Sequence, residues 1–492
     1  MTRSIIVWGC TSGAGKSWLA TALCRVAARR GVNVAPFKAQ NMSNNARVVP
    51  RGDGGLGEIG SAQYFQALAA RALPSVDMNP VLLKPERDTA SQVVVAGIAD
   101  AALSRMPWRE RSLRLAHAAR DAFERLAPRH DLVVVEGAGS PAEINLAAHD
   151  YVNLDTARWA QSAGPVAALL VSDIDRGGSF AHCYGTWALL PPDVQPLLQG
   201  FVLNRFRGDA ALLAPGPADL HALTGVPLAG VLPMRRDHGL PEEDALFDDR
   251  TRGSGTPTLR VAVLAPPHIS NLDEFQPLQR VPGLHLRWAR TPADLGDLGS
   301  GDWVVLPGSK QVSGDLAWLR AQALDGAIRA HVDRGGRVLG VCGGLQMLGL
   351  TLDDPEGHDG QPVRALPGLG LLPLHTRFGA AKRLRAAPVR FGSVQGPWVA
   401  LSGVRAAAYE IRCGQTDAPG ATAVLHDDQG QAIGWQQGAV LGVYAHGLLE
   451  SPAVLQALFG AAVPTLESSF ELLADLVEEH LDAALLERWL GA

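Results

Sequence analysis

A glycine-rich loop near the start of the chain has the composition of a phosphate-binding site. The segment from Gly9 to Ser17 reads GCTSGAGKS and carries Gly9, Gly13 and Gly15 ahead of Lys16. An apolar run precedes it and an amphipathic stretch follows it, so it should connect a strand to the N-terminus of a helix. Backbone NH groups and the helix N-terminus would then hold phosphates, with Lys16 reaching the terminal phosphates and Ser17 holding magnesium. The alternative is an ordinary glycine turn.

Two further charged residues stand where they could serve the same phosphates. Glu136 ends the apolar run LVVVE, and Lys38 follows a second short apolar run. A carboxylate at the carboxyl end of a buried parallel strand lies beside the ligand crevice, where it can bind magnesium. Lys38 could neutralise a phosphoryl group during transfer. Either residue could instead be a solvated charge at a strand end.

A cysteine between glycines in the second half of the chain predicts a nucleophile. In GVCGGLQML, Cys342 stands where an apolar run gives way to a helical pattern. This is the sulfur counterpart of the nucleophile elbow, in which glycines allow a strained turn and the helix N-terminus favours the thiolate. His446 follows a later apolar run and is the candidate general base. The NH groups of Gly308 and Gly343 are candidates for an oxyanion hole.

A third polar cluster follows the apolar run PVAALLV. Asp173, Asp175 and Arg176 come shortly after it, with Gly177 and Gly178 next. Because they should emerge at the carboxyl end of a strand, we expect them near the phosphate loop. Arg176 is suited to grip a substrate carboxylate with two parallel hydrogen bonds, and the aspartates to hold that arginine or magnesium. A plain ion pair within a turn is the alternative.

The elements that must position these residues indicate two α/β layers. Short apolar runs alternate with amphipathic stretches in both halves, which is typical of parallel strands buried on both faces. The stretch 237–258 is acidic, then rich in Gly, Ser, Thr and Pro, and it predicts a linker. Residues 1–236 should form the first domain and 259–492 the second. The acidic amphipathic stretch from Ser468 to Leu490 is expected to cap the second domain.

Composition excludes several classes of protein. The chain has 492 residues and a net charge of -5, without a basic tract, so nucleic-acid binding is not expected. Apolar runs are too short to predict a membrane span or a secretion signal. The five cysteines are dispersed and form no Cys-x-x-Cys pair, which argues against a disulfide framework and a zinc site. Apart from Cys342 they are expected to be buried structural thiols, and a reducing cytoplasm fits best.

These motifs together resemble known families. The second domain resembles the class I, or triad, glutamine amidotransferases through the elbow around Cys342 and through His446. That family carries a glutamate two residues after the histidine, where this chain has Leu448, so the third triad member stays unassigned. The first domain resembles the P-loop amidoligases related to dethiobiotin synthetase.

Over nearly the whole chain, the nearest resemblance is to the cobyric acid synthases of cobalamin biosynthesis. It rests on six segments: PFKAQNMSNN at 36–45, GEIG at 57–60, NPVLLKP at 79–85, EGAGSPAEINL at 136–146, DIDRGG at 173–178 and NRFRGD at 204–209. The resemblance implies an α/β P-loop amidoligase domain with a mostly parallel sheet, followed by an α/β glutamine amidotransferase domain.

The same resemblance implies a reaction and further site residues. The reaction is the amidation of four peripheral carboxylates (b, d, e and g) of adenosylcobyrinic acid a,c-diamide, giving adenosylcobyric acid. It uses ATP, Mg²⁺ and ammonia from glutamine, and no tightly bound organic cofactor, because the corrinoid is a substrate. Gln346 would help to hold glutamine, and Glu58 would join Ser17 and Glu136 as a magnesium ligand. The implied corrinoid contacts are Gln40, Asn41, Glu143, Asn145, Asp173, Asp175 and Arg176.

Two alternatives stay open. A cobyrinic acid a,c-diamide synthase amidates other groups of the same ring, although the DIDRGG and EIN segments favour the enzyme that acts later. A partition-type nucleotide-switch ATPase has a similar loop, but it carries an extra lysine where this chain has Thr11 and has no use for a glutaminase elbow. The expected partners are therefore small molecules (glutamine, ATP and a corrinoid acid), with a homo-oligomer left open.

Overall fold

The computed structural model describes residues 1–87, 90–235, 238–241, 258–460 and 463–490. The chain divides into two units, Met1–Asp244 together with Thr465–Ala492, and Ala245–Pro464. The α/β architecture is confirmed in both units. The predicted linker 237–258 lies outside the described residues, except for 238–241 and 258.

Apolar strands at the centre of the first unit form a parallel sheet. Its strands are β1 (Arg3–Gly9), β2 (Val34–Phe37), β9 (Leu132–Glu136), β10 (Val166–Asp173), β11 (Leu198–Phe206) and β12 (Leu228–Pro233), in the order β12-β11-β10-β1-β9-β2. Every neighbouring pair is parallel. All five residues of β9 are buried, as a strand covered on both faces requires.

Shorter strands and helices complete this part of the first unit. The strands are β3 (Gln40–Met42), β4 (Ala46–Pro50), β5 (Leu56–Gly60), β6 (Val81–Arg87), β7 (Ala90–Val95) and β8 (Ile98–Asp100). The helices are α1 (Lys16–Arg29), α2 (Ser61–Ala69), α3 (Ala101–Arg105), α4 (Trp108–Leu126), α5 (Thr156–Ala163), α6 (Ser179–Leu189) and α7 (Gly216–Thr224). Helix α1 buries Leu19, Leu23 and Val26 against the sheet, so the helix predicted after the glycine-rich loop is present.

The second unit is built on a sheet of eleven strands. Its parallel part has the order β15-β13-β16-β18-β25, formed by β13 (Leu259–Leu264), β15 (Leu284–Ala289), β16 (Trp303–Leu306), β18 (Arg337–Val341) and β25 (Val440–Val443). The remainder is mostly antiparallel and comprises β19 (Thr351–Asp354), β20 (Val363–Pro367), β21 (His375–Phe391), β22 (Arg405–Asp417), β23 (Thr422–His426) and β24 (Ala432–Gln437).

Among the described residues of this unit, four α-helices and a two-stranded ribbon accompany that sheet. The helices are α8 (Val312–Ala321), α9 (Leu324–Asp333), α10 (Gly343–Leu348) and α11 (Pro452–Phe459). The ribbon pairs β14 (Ile269–Ser270) with β17 (Gly308–Ser309). One buried core spans the unit, from Val261 on β13 to Leu455 on α11.

The C-terminal helices α12 (Leu466–His480) and α13 (Ala483–Leu490) belong to the first unit, so their predicted place on the second domain was wrong. Their apolar face, which includes Phe470 and Trp489, packs into the core around α1. Arg25 of α1, whose side chain is fully buried, forms ion pairs with Glu467 and Glu471 of α12. The amphipathic pattern correctly predicted that these helices have a buried face, but it did not predict which unit that face packs against.

No helix among the described residues is both long and apolar enough to cross a membrane.

Candidate active sites

The phosphate loop begins at the carboxyl end of β1, which has β9 on one side and β10 on the other. Because all three strands are parallel, Gly9, Glu136 and Asp173 lie at the same edge of the sheet. Gly15 has a φ of 107°, and a Cβ there would lie 2.0 Å from the side-chain amide nitrogen (Nδ2) of Asn204. The loop therefore needs glycine at this position, both for its backbone angle and for its space.

Lys16 folds back along the loop that it follows. Its Nζ donates hydrogen bonds to the carbonyl oxygens of Thr11 and Gly139, each at 3.0 Å. A Cβ at Gly9 would lie 3.0 Å from the same nitrogen, and Gly13 has a φ of 70°. The predicted strand, loop and helix are thus present, with the ammonium group inside the curve of the loop.

Glu136 is the centre of a buried polar cluster. Its Oε1 accepts hydrogen bonds from Ser17 Oγ and Lys38 Nζ, each at 2.8 Å. Its Oε2 accepts from the side-chain amides of Gln63 and Gln66. Burial opposes ionisation, but the charge of Lys38 and hydrogen bonds from Lys38, Gln66 and Ser17 hold the pKa of Glu136 below its usual range. The carboxylate is therefore charged at neutral pH.

The Ser17 and Glu136 oxygens fit a magnesium ion. Hard oxygen donors are what Mg²⁺ prefers, and the pair is 2.8 Å apart. Adjacent ligands of an octahedral ion with bonds of about 2.0–2.1 Å are about 3 Å apart, so both oxygens can bind one ion. Glu58, the third predicted ligand, instead forms a buried ion pair with Lys84. Its place in the metal site stays a prediction.

Asp173, Asp175 and Arg176 lie at the carboxyl end of β10, as predicted, but within a wider ion-pair network. Asp173 Oδ2 accepts a hydrogen bond from Arg205 at 2.9 Å and lies 3.3 Å from Arg176 Nε. The side chain of Arg176 is 65% exposed. Its Nη2 would lie 3.7 Å from a Cβ placed on Gly13. A phosphate, as well as a substrate carboxylate, is therefore within reach of this guanidinium.

The other predicted corrinoid contacts differ in their surroundings. Asn41 is buried and donates a hydrogen bond to Gln63 at 2.9 Å, which links it to the Glu136 cluster. Gln40 accepts a hydrogen bond from the hydroxyl of Tyr151. Glu143 and Asn145 lie in an exposed turn after β9. Their contact with a corrinoid stays a prediction.

In the second unit, Cys342 forms the strained elbow that its glycine neighbours predict. It joins β18 to α10 with φ 49° and ψ -104°, which a non-glycine residue rarely adopts. A Cβ at Gly340 would lie 2.8 Å from the carbonyl carbon of Gly344, and a Cβ at Gly344 would lie 1.9 Å from the carbonyl oxygen of Leu306. The turn thus needs glycines on both sides. The thiol donates to the carbonyl oxygen of Ile411 at 3.6 Å.

His446 lies directly beyond β25, the neighbour of β18, and its side chain is hydrogen-bonded to Cys342. Its Nδ1 is 3.0 Å from Glu274 Oε1, and the ring of Tyr409 stacks on the imidazole. Burial opposes the imidazolium, but the negative charge of Glu274, the electrostatic interaction with Cys342 and hydrogen bonds to both raise the pKa of His446 to about 10. A thiol, an imidazole and a carboxylate thus follow one another through hydrogen bonds.

The predicted oxyanion and glutamine residues surround the elbow. A Cβ on Gly343 would lie 2.7 Å from the backbone nitrogen of Ser309, the residue after Gly308. A Cβ on Gly308 would lie 3.0 Å from His446 Cε1. The backbones of both glycines therefore lie beside Cys342 and His446. Gln346 is buried and donates a hydrogen bond to the hydroxyl of Tyr444 at 3.2 Å.

Sequence reasoning missed several residues of these sites. Arg205 pairs with Asp173, and Arg207 pairs with Asp175. Both arginines lie in the NRFRGD segment, and their position at the end of an apolar run could have identified them as residues of this edge of the sheet. Glu274 offered no such signal, because it lies in a short 3-10 helix, Leu272–Arg280, far from His446 in the chain.

Two family models match the chain, one for each unit. The CobQ/CobB/MinD/ParA nucleotide binding domain matches residues 5–246, and the CobB/CobQ-like glutamine amidotransferase domain matches residues 260–454.

Curated relatives match over almost their whole length. A cobyric acid synthase of Variovorax paradoxus is 60% identical over 489 residues, which cover 99% of each chain. One of Polaromonas naphthalenivorans is 58% identical over 491 residues, also 99% of each chain. One of Methylibium petroleiphilum is 59% identical over 499 residues, or 99% of this chain and 97% of the relative.

Proposed function

This chain belongs to the cobyric acid synthase family of glutamine-dependent amidoligases, and on that premise we propose that it converts peripheral carboxylates of a corrinoid acid into amides. The observation that carries the proposal is the combination, in one chain, of the Cys342–His446 elbow with the loop that holds Lys16 and Ser17. The first arrangement can release ammonia, and the second can activate an acid with ATP.

Ammonia release begins at the thiol of Cys342. The sulfur attacks the side-chain carbonyl carbon of glutamine, the carbon–nitrogen bond breaks, and His446 delivers a proton to the departing ammonia. Water then hydrolyses the thioester to glutamate and restores the thiol. The backbone NH groups of Gly308 and Gly343 would stabilise the oxyanion in both steps. Gln346 would hold the glutamine substrate.

Acid activation takes place at the phosphate loop. A corrinoid carboxylate attacks the γ-phosphorus of ATP, which gives an acyl phosphate and ADP, and ammonia then displaces phosphate to give the amide. Loop NH groups from Gly9 to Lys16 would bind the phosphates, and Lys38, the residue after β2, would face them from beside Glu136. Ser17 and Glu136 would hold Mg²⁺, which supplies charge neutralisation at the transferring phosphoryl group.

The four b, d, e and g carboxylates of adenosylcobyrinic acid a,c-diamide are the proposed substrate groups. Support comes from the name that the relatives share and from the DIDRGG and EIN segments. Arg176 of the DIDRGG segment lies beside Gly13 of the phosphate loop. The product would be adenosylcobyric acid.

Mass spectrometry of the reaction products tests the proposal. Purified protein would be incubated with ATP, magnesium, glutamine and the a,c-diamide, and the amidations counted from the mass change of the corrinoid. Four successive acid-to-amide conversions are expected. If the a,c-diamide is left unchanged while cobyrinic acid gains two amides, the chain is an a,c-diamide synthase. ATP hydrolysis without amidation of either acid would favour a nucleotide-switch ATPase.

A further inference from the structure

Glu274 is held by two hydrogen bonds at the elbow of the second unit. Its Oε1 lies 3.0 Å from His446 Nδ1, and its Oε2 accepts a hydrogen bond from the backbone NH of Gly447 at 3.1 Å. The side chains of Glu274 and His446 are 2% and 1% exposed. Burying a carboxylate costs free energy unless it is paired. Both oxygens of Glu274 are paired, one with the side chain of His446 and the other with the backbone of the next residue, Gly447.

The helix that carries Glu274 fixes the position of the carboxylate. The 3-10 helix Leu272–Arg280 begins after Asn271, which has a φ of 52°, and buries Phe275 and Leu278 in the core. The packing of Phe275 and Leu278 anchors this helix, and Glu274 is itself buried, so its side chain has little freedom. This is what a group that must orient another side chain requires.

An apolar environment strengthens the bond between the two residues. Glu274 borders a small cavity of about 20 Å³, whose lining includes Val341, Leu448 and Leu449. Electrostatic interactions are stronger where water is excluded. Leu448 stands where the triad family has its glutamate, so an apolar side chain fills that place and the carboxylate comes from another element.

The ring nitrogens of His446 thereby acquire different roles. Glu274 accepts from Nδ1, so Nε2 is the nitrogen that remains for the hydrogen bond to Cys342. A carboxylate on one ring nitrogen fixes the tautomer and orientation of an imidazole and stabilises the imidazolium once it forms. Both effects serve proton transfer between Cys342 and the departing ammonia.

We propose that Glu274 is the third member of the glutaminase triad, a positioning residue that acts through His446. The inference rests on the proposed role of Cys342 as the glutaminase nucleophile. It differs from a purely structural role, in which Glu274 would only tie the 3-10 helix to Gly447.

The decisive variant is Glu274→Gln. In a neutral amide one of the two acceptor oxygens, which now serve His446 Nδ1 and the Gly447 NH separately, becomes an NH2 donor, and the negative charge beside the imidazole is lost. Glutaminase kcat should fall by about 10³–10⁴-fold, as when the triad carboxylate of a serine protease becomes an amide. KM for glutamine should change little. Synthesis from ammonium salts should be unchanged, because it bypasses Cys342.

The pH profile supplies a readout that a structural role would not move. The groups that face His446 are Glu274 from the 3-10 helix, Cys342 from the elbow and the Tyr409 ring from β22. Loss of the charge of Glu274 removes a cause of the raised pKa of His446. The limb of the glutaminase pH profile that reports the imidazolium should therefore move to lower pH in Glu274→Gln. Glu274→Asp, which retains the charge, should regain part of kcat.

A matched control exists in the same unit. Glu356 pairs with His358 Nε2 at 2.9 Å, but its side chain is 74% exposed. Glu356→Gln also removes a carboxylate from an imidazole and should leave kcat and the pH profile unchanged.

Two results would overturn the proposal. One is a Glu274→Gln protein with parental kcat and pH profile. The other is equal loss of glutamine- and ammonium-dependent synthesis in both Glu274 variants together with a lower Tm, which would show a structural role. A different result would show that Cys342 is not the glutaminase nucleophile: in that case Cys342→Ala would retain glutaminase activity.

Discussion

The hydroxyl of Ser17 donates a hydrogen bond to the carboxylate of Glu136, 2.8 Å away, although the two residues are 119 positions apart in the chain. This bond connects the phosphate loop to the end of β9, and Lys38 shares the same carboxylate oxygen. A change at Glu136 should therefore affect the chemistry of the nucleotide rather than that of glutamine.

The first prediction concerns that carboxylate. Glu136→Gln replaces a charged oxygen ligand by a neutral one, so the magnesium concentration for half-maximal ammonium-dependent synthesis should rise by about tenfold or more. A magnesium titration measures this, with glutaminase activity expected to be unchanged. Glu124→Gln, which breaks an exposed ion pair with Arg120, is the control. An unaltered titration curve for Glu136→Gln would remove it from the proposed metal site.

The second prediction separates the two nitrogen sources. Cys342→Ala should lose glutamine-dependent synthesis, because no thiol remains to attack the amide, and should retain synthesis from ammonium salts. Parallel assays of glutamate release and corrinoid amidation measure both. Persistent glutaminase activity in the variant would refute the role of Cys342.

The third prediction is the complement of the second. Lys16→Ala should reduce synthesis from either nitrogen source by about 10³-fold, because a cation beside the transferring phosphoryl group is lost. Cys342 lies in the other unit and keeps its own contacts, so glutamate release in the absence of synthesis should persist. Full ammonium-dependent turnover would contradict the assignment of the loop.

The fourth prediction concerns Arg176. Arg176→Lys keeps the charge but loses the planar fork that grips a carboxylate or a phosphate with two hydrogen bonds. Its side chain is 65% exposed, so Tm should be unchanged while KM for the corrinoid or for ATP rises. The substrate whose KM rises identifies the group that Arg176 contacts. A lower Tm with both KM values unchanged would show a plain ion pair.

The fifth prediction concerns stability. Trp489 is 3% exposed, and its indole NH donates to Gln199 at 3.1 Å. Trp489→Ala should lower the free energy of unfolding of the first unit by about 3–5 kcal/mol, the range for truncating a buried aromatic residue. Trp108→Ala is the control, because Trp108 is 41% exposed on α4 and its loss should cost much less. Denaturant titration with separate probes for each unit measures the difference, and equal effects would contradict the packing of α13.

Local motifs explain why much of both sites could be predicted from the sequence. Gly15 and Cys342 stand in short motifs whose glycines permit unusual backbone angles, so the phosphate loop and the elbow can be recognised from a few consecutive residues. The apolar runs likewise specify strands buried on both faces.

Contacts between distant segments explain what could not be predicted. Nothing near Glu274 distinguishes it from other acidic residues until the fold brings it to His446. In the same way, the pattern of α12 and α13 indicates one apolar face without indicating which core it completes. The amphipathic pattern determines which side of a helix is buried, and tertiary packing determines which core that side packs against.

The position of α12 and α13 has a consequence for the order in which the chain can fold. Because Thr465–Ala492 belongs to the first unit and Ala245–Pro464 separates it from the remainder of that unit, the second unit leaves the ribosome before the first has all of its residues. Until then, the face of α1 beside Phe470 and the part of β11 beside Trp489 stay uncovered, and Arg25 lacks its carboxylate partners. The amidotransferase unit can thus fold completely before the last two helices of the ATP-binding unit have been synthesised. If translation ended before those helices, the released chain would have a folded second unit and a first unit whose hydrophobic core is exposed.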